Sequence, residues 1–112
     1  MISLVRQTFL KYRLFVLNNL PVFAGNMGLV INTHWEDYDE QKKALGQNPS
    51  TFDCFAKWEM DYLQGKIAEA YPRISDTIIR TSIILCCVKF QHPQPRKLFV
   101  RMVTELLEDL LK

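Results

Sequence analysis

An all-α fold is what this sequence predicts: a single-domain bundle of about five helices over residues 2–20, 34–45, 51–71, 76–90 and 95–111, with segment 21–32 irregular. Two observations carry that expectation. Apolar residues recur at steps of three and four, the spacing of one helical face. Prolines, glycines and capping residues fall between those runs rather than inside them. The bulk properties agree. A chain of 112 residues is one domain in size and can remove roughly two-thirds of its unfolded surface from water. With 48% hydrophobic and 23% charged residues it has the makings of a packed core and no long disordered stretch.

In the first segment Ile2, Val5, Phe9, Tyr12 and Val16 form one face, and Leu4, Leu10, Leu14 and Leu17 add a second apolar row. A helix apolar over so much of its surface is central, or lends its extra row to an oligomeric partner. Pro21 stops it. The following stretch holds Gly25 and Gly28 among Phe23, Met27, Leu29, Val30 and Ile31, and lacks the spacing of a phosphate loop. It reads as a structural turn.

Thr33 stands three residues before Glu36, the pattern of a capping box, so a short polar surface helix is expected from His34 to about Leu45, ended by Gly46. Its early acids suit the positive end of the helix dipole, and Lys42 and Lys43 the negative end. Ser50 and Asp53 repeat the start signal after Pro49. The helix expected there turns Phe52, Ala56, Met60, Leu63, Ile67 and Ala70 inward, with Phe55, Trp58 and Tyr62 widening that face. Beyond Pro72, Ser75 or Asp76 caps a segment whose middle, Ile83 to Val88, is continuously apolar. Its β-branched content admits a strand, but its length and helical neighbours favour a buried helix, because a lone strand leaves its edges unpaired. Gln91 to Gln94 forms a loop, and Pro95 suits the first turn of a last helix. There Leu98, Phe99, Met102, Val103, Leu106, Leu107, Leu110 and Leu111 recur in pairs every four residues.

The net charge of +2 conceals blocks of alternating sign. Residues 1–33 carry Arg6, Lys11 and Arg13 and no acid; 34–62 hold seven acids against three bases; 63–101 are basic; the end is acidic again through Glu105, Glu108 and Asp109. Between Leu14 and Thr33 no residue is charged, yet Asn18, Asn19, Pro21, Asn26 and Asn32 make that stretch too costly for hydrocarbon, and they break the apolar run an export signal needs. No membrane association is expected. The three cysteines, Cys54, Cys86 and Cys87, are odd in number and show no zinc-ligand spacing; they are expected as unpaired core residues of a cytoplasmic protein.

Little points to catalysis. The only histidines, His34 and His92, lie in different segments, and a metal site would have to borrow Asp37, Glu36 or a cysteine. Cys54 could meet either histidine in space, but no nucleophile elbow or oxyanion turn accompanies it. No catalytic residue, cofactor or metal is therefore expected. The most distinctive surface candidate is Trp35, Glu36, Asp37, Tyr38, Asp39 and Glu40, aromatic anchors beside a carboxylate row that suit a basic groove on another protein. The leading expectation is a small non-enzymatic, bacterial inhibitor or immunity-type protein that occludes a partner, such as a toxin or enzyme, through that patch. Two alternatives stand beside it. One is a nucleic-acid-associated regulator using Arg80, Lys89, Arg96, Lys97 and Arg101, although the stiff turn Gln91-His92-Pro93-Gln94-Pro95 speaks against a helix-turn-helix. The other is a structural subunit that oligomerises through the first helix.

Overall fold

A computed structural model describes residues 30, 31 and 33–111. The expected helix 2–20, the oligomer interface placed on it, and residues 21–29 and 32 of the irregular segment lie outside the described residues; Val30 and Ile31 are helical. In chain order the rest comprises α1 (Glu36–Ala44), β1 (Thr51–Phe52), α2 (Lys57–Ala70), α3 (Asp76–Lys89), β2 (Gln94–Pro95) and α4 (Arg96–Leu110). The chain is thus mostly helical, with a small two-stranded sheet that the all-α expectation did not contain. Among the described residues no helix is long and apolar enough to cross a membrane.

The C-terminal end of α1 follows its local signal. Gly46 adopts φ 70° just past the helix, its N–H donates to the Lys43 carbonyl, and Gln47 donates to that of Lys42. This is a Schellman closure, which needs the left-handed conformation that glycine adopts without penalty. The expected capping box is absent. Trp35 occupies the N-cap without a side-chain cap bond, and the Thr33 hydroxyl instead donates back to the Val30 carbonyl. The Trp35 indole N–H donates to the same carbonyl at 2.9 Å, which draws Trp35 into the core and starts the helix later.

The start of the helix expected at 51 is also corrected. Thr51 and Phe52 pair antiparallel with Pro95 and Gln94, and Arg96 N–H extends the contact to the Ser50 carbonyl at 2.7 Å. Phe52 stacks on Phe99 with ring centroids 4.6 Å apart. Burying Phe52 against α4 outweighs the weak local preference for one more helical turn, so the chain turns at Asp53, whose carboxylate accepts from Phe55 N–H, and α2 begins at Lys57. Phe55, expected on the inner face, is left exposed.

As expected, α3 is a helix and not a strand, but it is buried on one face only, with Ile84 and Val88 exposed; Ser75 caps it, its hydroxyl accepting from Ile78 N–H. It packs against both α2 and α4 through Ile79, Ser82, Ile83 and Cys86. Buried Ser82 satisfies its hydroxyl on the Ile78 carbonyl one turn back. Helix α4 presents Phe99, Val100, Val103, Leu106 and Leu107 to the same core, while Leu98, Leu110 and Leu111 stay exposed. Tyr71, at the end of α2, donates its hydroxyl to Glu108 at 2.6 Å and ties the far ends of α2 and α4 together.

Two of the three cysteines are not free: Cys54, in the turn before α2, is bonded to Cys87, in the last turn of α3. Spacing along the chain gave no hint of a pair 33 residues apart. Cys86 remains a buried thiol, and burial pushes its pKa well up, so it behaves as an inert core residue.

Glu105 is the anomaly of the core. It is 6% exposed, and its Oε1 has no hydrogen-bond partner among the described residues. Burial raises its pKa to about 7, partly offset by Arg101. Because the folded state holds the proton more tightly than the unfolded chain, the stabilising contribution is complete below the ordinary glutamate range and is lost as pH rises through about 7. Glu105→Gln is therefore expected to raise stability at pH 8 by on the order of 1 kcal/mol and to flatten the stability profile between pH 5 and 8. Urea unfolding at both pH values checks this; equal profiles for the two proteins would refute it.

Candidate functional site

The acidic patch expected at residues 35–40 separates into an inner and an outer half. At 3.6 residues per turn, Trp35, Tyr38 and Lys42 fall on one side of α1, and Glu36, Glu40 and Asp37 within an arc of about 100° on the other. Trp35 and Tyr38 are 5% and 0% exposed, so neither is the surface anchor expected. Both belong to an aromatic cluster: Tyr38 lies 5.1 Å from Trp35, 5.3 Å from Trp58 and 5.4 Å from Tyr62, centroid to centroid. A short helix this rich in charge still has an inner face, and here Trp35, Tyr38 and Lys42 occupy it.

The inward face carries a charge. Lys42 is buried, and its Nζ donates to Glu59 of α2 at 3.1 Å (Oε1) and 3.0 Å (Oε2). Glu59 Oε1 also accepts from Asp53 N–H at 3.0 Å and from the Tyr38 hydroxyl at 2.5 Å. That hydroxyl sits 2.6 Å from the Thr51 carbonyl as well, so its single proton serves one acceptor at a time. Burial, then the Glu59 carboxylate, pushes the Tyr38 pKa far up, and the phenol keeps its proton. Polar signals at 42 and 59 lie 17 residues apart, and no local pattern joins them.

Arg96 completes the clamp. Its guanidinium lies over the rings of Trp35 (4.8 Å) and Tyr38 (5.4 Å), while Nη1 donates to Asp39 at 2.7 Å and to the Pro49 carbonyl at 3.1 Å. Asp39, expected as part of the binding row, is thus an internal anchor of α1. Glu36, Asp37 and Glu40 are exposed. Glu36 meets His34, itself 89% exposed, at 3.2 Å; among the described residues Asp37 and Glu40 have no ion-pair partner. Glu36 and Glu40 stand four apart on the helix, a like-charge spacing that costs a few tenths of a kcal/mol.

The five basic residues of the nucleic-acid alternative are used differently from one another. Arg80 of α3 donates to Asp61 at 2.7 Å and to Gln64 at 3.2 Å across the α2 interface. Asp61 also receives Lys57 at 2.9 Å, and the two cations hold its carboxyl below the usual range. With Arg96 bound to Asp39, only Lys89, Lys97 and Arg101 of the five are exposed.

Of the histidines, the structure brings His92 and not His34 to Cys54. The ligand atoms of Cys54, Cys87 and His92 lie within 4.8 Å of one another. Bonded to Cys87, Cys54 has no thiol to act as a nucleophile in this form. No protein-family model, no curated protein and no solved structure matches this chain.

Proposed function

We propose that the chain is a non-enzymatic protein-binding domain that engages a basic surface on another protein through Glu36, Asp37 and Glu40. One observation carries this reading: the three carboxylates share one outward arc of a helix whose opposite face is immobilised by Lys42–Glu59, Tyr38 and Arg96–Asp39. A rigid row of like charges is held ready for a cationic groove with little ordering cost, and it steers association through the long-range field. In its more specific form the reading is an inhibitor or immunity-type protein that occludes a toxin or enzyme. Trp35 and Tyr38 are buried and offer no aromatic anchor, so recognition in this reading is electrostatic.

The test is a triple variant, Glu36→Lys/Asp37→Lys/Glu40→Lys, with Asp39 untouched because it holds Arg96. Its stability should stay within about 0.5 kcal/mol of the parent, as for exposed positions generally. A partner that co-purifies with the parent should associate at least about tenfold more slowly with the variant at low salt. Equal rates would refute the reading. Salt-sensitive retention of the parent on a polyanion column would instead favour Lys89, Lys97 and Arg101 as the working face.

The cytoplasmic location expected from the cysteines rested on their being unpaired. A chain carrying the Cys54–Cys87 bond belongs in an oxidising compartment, and the same chain in the cytoplasm carries two thiols there.

A further inference from the structure

Two stretches that are remote in sequence converge at one point: the turn before α2 with Cys54, and the end of α3 with the loop that follows it, carrying Cys87 and His92. The imidazole there is poorly explained by packing alone. Both of its nitrogens are buried, and among the described residues neither has a hydrogen-bond partner. The ring is held edge-on against Phe99, 5.4 Å between centroids, with Phe55 at 6.4 Å. Buried ring nitrogens without partners call for an explanation, a bound ion among them. Two sulfurs stand within 4.8 Å of it.

We propose that Cys54, Cys87 and His92 form a redox-gated site for a thiophilic divalent cation, of which Zn²⁺ is the representative. In the reduced chain two thiolates and one imidazole nitrogen supply three ligands of a tetrahedral ion, and water takes the fourth position. Tetrahedral zinc with Zn–S near 2.3 Å requires sulfurs about 3.8 Å apart, so the ion and the disulfide exclude each other. The Cα atoms of Cys54 and Cys87, 5.8 Å apart, leave the adjustment to rotation of the two side chains.

The chemistry balances in each direction. A dithiol passes two electrons and two protons to the Cys54–Cys87 bond, giving two thiols and becoming a disulfide itself. Zn²⁺ then displaces one proton from each thiol, and His92 contributes a lone pair from an unprotonated nitrogen. Oxidation by a small-molecule disulfide removes two electrons from the two thiolates, closes the S–S bond, releases Zn²⁺ and leaves the oxidant as two thiolates. Cys86 takes no part: it is a separate, buried thiol. The site is independent of the acidic row on α1, and either reading can fail without the other.

The experiment uses the full chain, reduced with a dithiol, desalted without oxygen and titrated with Co²⁺ as a spectroscopic stand-in for zinc. One equivalent should bind, with thiolate-to-cobalt charge-transfer bands and the strong visible bands of a tetrahedral ion, and Zn²⁺ should displace it. The oxidised chain should show neither. Cys86→Ala should bind as the parent does, whereas His92→Ala should lose at least about 100-fold in affinity, the upper end of what an outer-shell partner costs. His92→Gln is the second variant should alanine disturb the loop, and circular dichroism of the oxidised forms confirms that each folds. Absence of the bands in the reduced parent, equal binding by the oxidised chain, or undiminished affinity in a folded His92 variant would each overturn the proposal.

Discussion

Glu59→Ala is expected to destabilise the domain by roughly 3–5 kcal/mol, and Lys42→Met by a similar amount. The two charges are 0% and 1% exposed, and each is the other's only counter-ion among the described residues. Removing Glu59 strands the Lys42 ammonium in the interior. It also takes the acceptor from Asp53 N–H and from one of the two positions open to the Tyr38 hydroxyl. Removing Lys42 leaves a carboxylate with only neutral donors. Replacing both, as Lys42→Met/Glu59→Met, removes the stranded charge and should cost less than the sum of the singles, with a coupling of about 2 kcal/mol or more. Urea unfolding of the parent, both singles and the double measures that coupling. Singles within 1 kcal/mol of the parent, or strictly additive effects, would show that the pair is solvated and contributes little. This network also bears on the proposed function, because it holds α1 against α2 and so keeps the three carboxylates in place.

The second large effect is expected from the Cys54–Cys87 bond. Reduction, or the double replacement Cys54→Ala/Cys87→Ala, should lower stability by roughly 3–4 kcal/mol in the metal-free protein, the chain-entropy value for a loop of this length. The bond joins residues 33 apart and ties the turn before α2 to the end of α3. Most of the loss should reside in the unfolded chain, which becomes less constrained, so the folded far-ultraviolet spectrum should persist at low denaturant. Denaturant titration of the oxidised protein against the double variant gives the number. A difference under 1 kcal/mol would mean that the closed loop barely restrains the unfolded ensemble.

Helices were legible wherever one face was strongly apolar or an end was marked by a residue with a single physical role. The paired leucines and valines of α4, Ser75 as cap and Gly46 as terminator are of this kind, whereas the continuous run Ile83 to Val88 left open which face of α3 is buried. The candidate site was legible only in its outer half. Glu36, Asp37 and Glu40 are exposed as expected, because a carboxylate without a partner stays in water. Trp35, Tyr38 and Asp39 depart from the surface expected because their partners, Arg96, Glu59 and the Val30 carbonyl, approach from other elements. The same holds for α2: Ser50 and Asp53 carry a sound start signal, overruled by Phe52 stacking on Phe99.

By itself, then, the sequence determined the mostly helical character of the chain, the positions of four helices to within a turn except at the start of α2, and the acidic outer arc of α1. These depend on periodicity and on residues whose preference acts within a few positions. Only the tertiary structure decided that Lys42 is buried on Glu59, that Cys54 meets Cys87, that His92 lies beside both sulfurs, and that Thr51 and Phe52 are strand. Lys42–Glu59, Cys54–Cys87, Cys54–His92 and Thr51–Pro95 join residues more than a dozen apart, whose partner is chosen by how the helices pack and not by any spacing along the chain.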